Sequence, residues 1–234
     1  MAYYDNTVCP TCPNINCFIK TCSPKWIELI GNKKSATLYK RGQQVITEGQ
    51  PIFGLYFINR GQVKVISSDR TWKEQIVRLA ADGHILGHRG YGGESYPVSA
   101  VTMNDSVICF IDNDTLLNAF MHNPSFTYKL MMFYSHELRE VEKRMKCMAT
   151  MTVAENVVFA LSYLKEIFGY DANENVLNAN ITRMDIAALA GTSEEEVVRT
   201  LTELEKEKVI KKIARKIRIL DEKKLNKLIE KCCR

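Results

Sequence analysis

The sequence has no long apolar run, and this absence excludes a helix that crosses a membrane. No uninterrupted apolar stretch among the 234 residues reaches the roughly 20 residues that a membrane span needs. The first residues also lack the basic start and apolar stretch of a signal peptide. We therefore expect a cytoplasmic protein that has no membrane partner.

The usual signatures of catalysis are missing as well. The chain contains no HExxH motif, no glycine-rich phosphate loop and no nucleophile with an adjacent base. Of its four histidines only His84 and His88 are four residues apart, and they lie in the glycine-rich strand region rather than on a predicted helix, so no metal is assigned to them. We therefore expect a protein that is not an enzyme, and a metal–cysteine enzyme is only a remote alternative.

Neither sign of charge dominates, but the basic residues are unevenly placed. The chain has 32 Lys and Arg against 27 Asp and Glu, a net charge of +5. Between Lys206 and Arg218 there are seven basic residues and a single acid, Glu207. A concentrated basic stripe suits phosphate binding, although such a run is also compatible with a solvated face.

Glycine is concentrated in the first half of the chain. Nine of the twelve glycines lie between Gly42 and Gly93, among short β-branched and aromatic runs. This pattern predicts an antiparallel barrel or jelly roll. The predicted strands are Val45–Ile46, Leu55–Ile58, Val63–Ile66, Gln75–Leu79, Val98–Thr102 and Val107–Ile111.

The pattern becomes helical after Pro124. Apolar residues recur there at alternating four- and three-residue steps, namely Tyr134, Leu138, Val141, Met145 and Met148. This narrow seam with charged flanks predicts a helix that pairs with its twin in a homodimer. The alternative is a helix that packs on its own β-sheets. A second helix is predicted from Val153 to Phe168, where Gly169 ends it.

Two short helices joined at a glycine follow. Thr182 and Ser193 are placed to cap them, and Gly191 permits the turn between them. Glu195 and Arg199 share an outward face, and such side chains bond cytosine and guanine edges in the DNA major groove. The alternative is a surface ion pair that contributes only a few tenths of a kcal/mol. A basic hairpin over 209–220 is placed to lie along phosphates.

Eight cysteines are unusual for a reducing compartment, where they serve more often as metal ligands or sensors than in disulfides. Four of them lie within fourteen residues: Cys9, Cys12, Cys17 and Cys22. Soft thiolates favour an iron–sulfur cluster or zinc, and thiols without metal are the third possibility. Cys147 is expected to be packed, and Cys232 and Cys233 to lie at a frayed terminus.

The order of β-roll, long helix and winged helix-turn-helix, together with the residues GTSEEEVVR at 191–199, resembles the CRP/FNR family of bacterial transcription regulators. The implied fold class is α+β, with a cyclic-nucleotide-binding-like jelly roll, a dimerisation helix and a C-terminal winged helix-turn-helix. The implied partners are a second copy of the chain, double-stranded DNA with a two-fold symmetric site, and RNA polymerase.

The resemblance also implies which residues bind DNA. In the family, a Glu and an Arg four residues later contact bases, and these fall on Glu195 and Arg199. Val198 stands where FNR-like readers have serine, so only apolar contact, for example with a thymine methyl, is available there. The further DNA-contact predictions are Ser193, Arg183 and Lys216.

FNR-type oxygen sensors use a short N-terminal run of cysteines and one distant cysteine on the β-roll, which Cys109 matches. The resemblance thus implies that Cys9, Cys12, Cys17 and Cys109 hold a [4Fe-4S] cluster that senses oxygen, nitric oxide or redox state. Cys22 is then spare or a substitute ligand. The third spacing is one residue shorter than in the FNR pattern, and zinc remains the alternative metal.

Cyclic-nucleotide-binding relatives carry a glutamate and an arginine that hold the ribose and the phosphate. In the matching segments, 87–90 and 98–100, His88 stands at the position of the glutamate and Val98 at that of the arginine, so we expect no response to cyclic AMP. An alternative function is sensing of an unknown small molecule near His88, Arg89 and Ser99, with zinc or free thiols at the N-terminus. The expected segments are 1–24 (cysteine-rich), 25–122 (β-roll), 123–151 (dimerisation helix) and 152–234 (DNA binding).

Overall fold

A computed structural model describes residues 8–68, 74–171, 175–214 and 216–229. Cys232 and Cys233 lie outside the described residues. The chain divides into two compact units, one of residues 1–71 and 78–137 and the other of residues 72–77 and 138–234. The predicted division into four segments stays a prediction. None of the described helices combines the length and apolar character that crossing a bilayer requires.

Two four-stranded antiparallel sheets form the β-roll. The first has the order β1-β8-β3-β6 and the second the order β2-β7-β4-β5. The strands are β1 Ser35–Tyr39, β2 Gln44–Ile46, β3 Gly54–Arg60, β4 Val63–Ser68, β5 Glu74–Ala80, β6 Ile85–Leu86, β7 Ser99–Thr102 and β8 Ser106–Asp112. All six strands predicted from the sequence are present. β1 and β6 were not predicted.

Helices α1 (Pro24–Lys33) and α2 (Asn113–His122) contribute side chains to the same core cluster as strands β3 and β8. Asp112 caps the start of α2, because its carboxylate accepts a hydrogen bond from the Thr115 amide at 2.8 Å. The fully buried core residues here include Ile30, Leu55, Phe57, Leu116 and Phe126. Cys9, Ile19 and Cys22 are buried in the same cluster. The N-terminal segment is thus part of the core of this unit.

The long helix α3 spans Pro124–Thr150, and α4 spans Val153–Phe168 as predicted. Thr152 caps α4 in a reciprocal arrangement with Glu155. The second unit continues with α5 (Arg183–Ala190), α6 (Glu194–Lys206), the hairpin of β9 (Ile210–Ile213) and β10 (Lys216–Ile219), and α7 (Glu222–Ile229). The α+β fold class is therefore confirmed.

Gly61 is required by a close approach between two chain segments. Its φ is +136°, and a Cβ at this position would lie 2.1 Å from Ser106 Oγ and 2.8 Å from Ser106 Cα. Gly42 also has positive φ, +81°, but a Cβ there meets nothing within 4 Å. Alanine substitutions at the two glycines therefore distinguish the cost of steric overlap from the cost of backbone strain.

We expect Gly61→Ala to lower the free energy of unfolding by about 3 kcal/mol, because strain and overlap act together. The control Gly42→Ala should cost only about 1 kcal/mol, since it adds backbone strain alone. Urea unfolding followed by circular dichroism measures both values. Equal losses in the two variants would contradict the steric explanation.

Candidate cysteine site, effector pocket and DNA interface

The cysteine segment lies on the β-roll as two short 3-10 turns, Cys9–Thr11 and Phe18–Thr21. The Lys20 ammonium joins the turns by donating to the carbonyl of Cys9 at 2.7 Å and to that of Pro10 at 3.2 Å. The side chain of Phe18 meets that of Phe133 on α3 in an edge-on contact, with 5.2 Å between ring centroids. The segment therefore contacts the long helix through the residue next to Cys17.

Four cysteines line one pocket that is open to solvent. Cys9, Cys12 and Cys17 come from the N-terminal segment, and Cys109 comes from β8. Cys109 is opposite Ala36 of β1 and Phe57 of β3. These four are the cysteines that the family resemblance implied as ligands.

The rest of the pocket wall combines apolar side chains, two lysines and the neutral amides of Asn14 and Asn59. Its other lining residues are Asn14, Ile19, Lys20, Lys34, Phe57, Ile58, Asn59 and Ile111. No carboxylate lines the described pocket, so the wall carries only positive formal charge. The two lysines therefore favour negative charge in the pocket, such as the charge of cysteine thiolates.

Cys22 is separate from this set. It is buried in the core cluster and is not among the residues that line the pocket. Burial raises the pKa of the Cys22 thiol to about 12, and the neighbouring Cys9 adds to the rise. The structure thus gives Cys22 the surroundings of a packed thiol rather than those of a pocket-lining ligand.

The thiols of the pocket influence one another electrostatically. The pKa of Cys17 is raised to about 12, mainly by burial, with smaller contributions from Cys9, Cys109 and Cys12 and against a backbone hydrogen bond from Ile19. Burial also raises the pKa of Cys9, while the charges of Lys34 and Lys20 oppose the rise. The pKa of Cys17 therefore responds to the other three cysteines of the pocket.

The described residues contain no group of three or more His, Cys, Asp and Glu side chains arranged to hold a single metal ion. A zinc site needs its ligands to converge to about 2.3 Å from one point. The four cysteines surround a pocket instead. Within the described residues, the structure thus shows four thiols around one pocket and no ready site for a single ion.

A second pocket lies among the strands of the β-roll. Arg78, His88 and Arg89 line it together with apolar side chains such as Leu86 and Tyr96. The predicted pocket residue Ser99 is not among the lining residues. Its buried hydroxyl instead accepts hydrogen bonds from the Glu48 amide at 2.9 Å and from Gln44 Nε2 at 3.2 Å.

Glu137 of α3 joins the charged residues of this second pocket. Its Oε2 lies 2.8 Å from Arg78 Nε, 3.7 Å from His88 Nε2 and 4.0 Å from Arg89. Burial alone would raise the pKa of Glu137, but His88 and the charges of Arg78 and Arg89 lower it to about 2. Arg78 and Glu137 were not predicted as site residues, because their pairing joins positions far apart in the sequence.

The helix-turn-helix forms as its capping residues predict. Thr182 and Asp185 cap α5 reciprocally, and Gly191 ends it with φ of +65°. Ser193 caps α6 by accepting a hydrogen bond from the Glu196 amide at 3.3 Å. Ser193, a predicted DNA contact, therefore has a structural role in the described fold.

The outward face of α6 presents Glu195, Val198 and Arg199, all of them exposed. The guanidinium of Arg199 pairs with Glu196, three residues earlier, rather than with Glu195. Exposed i,i+3 pairs of this kind contribute a few tenths of a kcal/mol. Arg199 is therefore easily released to another partner.

The other predicted DNA contacts lie in the same unit. Lys216 begins β10 and pairs with Asp171 at 2.6 Å, and both side chains are about half exposed. Arg183 begins α5 and is half-buried. The β9–β10 hairpin also carries Lys211 and Lys212, and Lys212 pairs with Glu205 at 2.9 Å.

The apolar seam of α3 is largely exposed in the single chain. Leu138 is 60% exposed, Met145 68% and Tyr134 36%. Val141 and Met148 are half-buried. The Tyr134 hydroxyl donates to the His88 carbonyl at 2.6 Å, so one end of the seam is attached to the second pocket.

A β-roll, a long helix, and a helix-turn-helix with a basic hairpin define a class of DNA-binding transcription regulators. Residues 36–123 match the family model of the cyclic nucleotide-binding domain, and residues 160–228 match that of the Crp-like helix-turn-helix domain. The chain belongs to the CRP/FNR family of transcription regulators. Both the family and the expectation of a protein that is not an enzyme are confirmed.

Individual relatives are similar over most of the chain. The transcriptional activator protein Anr of Pseudomonas protegens is 25% identical over 185 residues, 78% of this chain and 75% of that protein. Electron transport regulator A of Shewanella oneidensis is 24% identical over 192 residues, 81% and 76% of the two chains. The structure of FixK2 from Bradyrhizobium japonicum has a TM-score of 0.75 at 21% identity, and the match covers 83% of this chain and 96% of that one.

We expect Glu137→Gln to lower the free energy of unfolding at pH 7 by about 3 kcal/mol, because Arg78 loses a buried charged partner. Since the folded-state pKa is about 2 and the ordinary value 4.5, this contribution is complete above the ordinary value. It is lost as the pH falls through about 2. Urea unfolding at several pH values, with the exposed Glu142→Gln as control, measures the difference. A gap between wild type and Glu137→Gln that is constant with pH would contradict the assigned ionisation.

Proposed function

We propose that this regulator senses oxygen, nitric oxide or redox state through a [4Fe-4S] cluster held by Cys9, Cys12, Cys17 and Cys109. The observation that carries the proposal is the single pocket these four cysteines line, with three from the N-terminal segment and one from β8. Such a cluster would supply sensitivity to oxidants at this position. The name of Electron transport regulator A, a relative, also suits a redox signal.

The residues around the pocket would pass a change at the cysteines to α3. Phe18 directly follows Cys17, and its ring contacts that of Phe133 on α3. Phe133 in turn contacts His88, with 5.0 Å between ring centroids. A change in the position of Cys17 would therefore alter packing on the helix that carries the apolar seam, and shift the balance between two states of the protein.

The seam residues Tyr134, Leu138, Val141, Met145 and Met148 would form the interface of a homodimer. Leu138 and Met145 are seven residues apart and strongly exposed, as one edge of a two-helix seam requires. A two-fold dimer would present two copies of α6 to a two-fold symmetric DNA site, with RNA polymerase as a further partner. Because DNA is the target, the protein would work in the cytoplasm.

Glu195, Val198 and Arg199 would read base edges in the major groove, whereas Arg183 and Lys216 would contact phosphates. Arg199 offers two parallel donors to a guanine, and Glu195 accepts from a cytosine amino group. Val198 offers only apolar contact. Ser193 would bring the capped start of α6 close to the DNA backbone.

A second candidate function makes the β-roll pocket the sensor of a small organic anion, with zinc or free thiols at the N-terminus. Three cationic or titratable side chains, those of Arg78, His88 and Arg89, line this pocket, while Glu137 is the carboxylate beside them. Apolar lining residues would receive the body of such a ligand. DNA binding that does not depend on iron favours this candidate over the cluster.

The cluster is tested by iron, sulfide and zinc analysis and by absorption spectra of protein purified without oxygen and reconstituted with iron and sulfide. We expect a brown wild-type protein that bleaches in air, and Cys12→Ser should lose its iron because a ligand is missing. Cys22→Ser is the matched control and should keep its iron, since Cys22 lies outside the pocket lining. Iron content unchanged in Cys12→Ser, or a colourless wild type, would contradict the proposal.

The DNA-reading residues are tested on a site selected from random DNA. We expect Arg199→Ala to weaken binding to the selected site by about 1–3 kcal/mol and to change binding to unrelated DNA little. Lys216→Ala should weaken both alike and reduce the salt slope by about 1, as loss of a phosphate contact does. Fluorescence anisotropy at several salt concentrations measures both effects. Equal losses of affinity for both DNAs in Arg199→Ala would mean that Arg199 contacts only phosphate.

A further inference from the structure

We propose that Asn59 is a positioning residue of the cysteine site, and that it stabilises negative charge on the sulfur of Cys12. The side-chain amide of Asn59 donates a hydrogen bond to Cys12 Sγ at an N···S distance of 3.0 Å. Both residues line the same pocket. The inference rests on the proposed function, because Cys12 is taken there as a ligand.

The β-sheet holds Asn59 in place. Asn59 lies near the end of β3, next to Ile58, which is fully buried. β3 pairs with β8, and Phe57 is opposite Cys109 in that pairing. Asn59 itself lies where the register of this pairing shifts, between Ile58 and Arg60, and it has no partner residue on β8. The paired residues on either side, Ile58 and Arg60, fix the backbone that carries the amide donor. A donor on such a rigid element stays aimed at the sulfur.

Asn14 attaches the cysteine segment to the same point of the strand. Its side-chain amide donates to the carbonyl of Ile58 at 3.1 Å and to that of Asn59 at 2.7 Å. Asn14 lies between Cys12 and Cys17 in the sequence, so it brings the loop between them against β3. Because its amide bonds backbone oxygens and not sulfur, Asn14 supplies a matched control for anchoring without the sulfur hydrogen bond.

A hydrogen bond donated to a thiolate stabilises the negative charge of the sulfur. When the sulfur is a ligand, the same bond withdraws electron density from the metal and tunes the cluster's reduction potential. The amide of Asn59 is neutral, and it donates to Cys12 whether the sulfur is a free thiolate or a metal ligand. A carboxylate in its place would repel the thiolate instead of stabilising it.

The first measurement uses the metal-free full-length chain and compares alkylation of Cys12 and Cys17 by iodoacetamide, with each site followed by mass spectrometry. Because the thiolate is the reacting form, we expect Asn59→Asp to lower the Cys12 to Cys17 rate ratio about fivefold. Asn59→Ser, whose side chain is too short to reach the sulfur, should lower the ratio in the same direction. Asn14→Ala should speed both reactions and leave the ratio unchanged.

The second measurement follows loss of absorbance in air after iron and sulfide are loaded. We expect Asn59→Asp to bleach about threefold faster than Asn14→Ala, because its Cys12 ligand is no longer stabilised. An unchanged alkylation ratio in both Asn59 variants, with unchanged circular dichroism, would overturn the proposal. A wild type that takes up no iron would contradict the cluster but not the role of Asn59, which the alkylation ratio decides by itself.

Discussion

The pairing of β8 with both β1 and β3 is the constraint on which the cysteine site depends. It places Cys109 opposite Ala36 on one side and Phe57 on the other. Side chains alternate between the two faces of a strand, so a shift of one residue in this register would turn Cys109 to the other face. Asn59 lies near the end of β3, where this register shifts between Ile58 and Arg60, and it contacts the segment that carries the other cysteines. The pocket is therefore a product of sheet geometry as much as of the cysteine spacing.

A buried ion pair sets a second constraint, on α3. The carboxylate of Glu137 pairs with the Arg78 guanidinium inside the β-roll unit. Phe133 and Tyr134, on the same stretch of α3, contact the ring of His88. A buried charge without its partner is costly, so this part of α3 is held on the β-roll. Leu138 and Met145, further along, are exposed. The helix thus combines a firmly attached segment with an apolar face that a second copy would cover.

The family and the signal rest on different parts of the molecule. The family models match residues 36–123 and 160–228, which contain the β-roll and the helix-turn-helix. Cys9, Cys12 and Cys17 precede both matches. DNA binding therefore follows from membership of the family, whereas the proposed redox signal depends on how this chain folds its own N-terminal segment onto Cys109. The pocket contacts of that segment support the signal more directly than the relatives do.

The sequence by itself determined the elements with strong local signals. The glycine-separated strands, α4 with its end at Gly169, and the helix-turn-helix capped by Thr182 and Ser193 depend on residues a few positions apart, so local reasoning finds them. The short strands β1 and β6 lack such signals and are ordered by their neighbours in the sheet. Only the tertiary structure decided three further features, because each depends on packing between residues far apart in the sequence. They are the ion pair of Arg78 with Glu137, the hydrogen bond from Asn59 to Cys12, and the position of Cys22 outside the pocket lining.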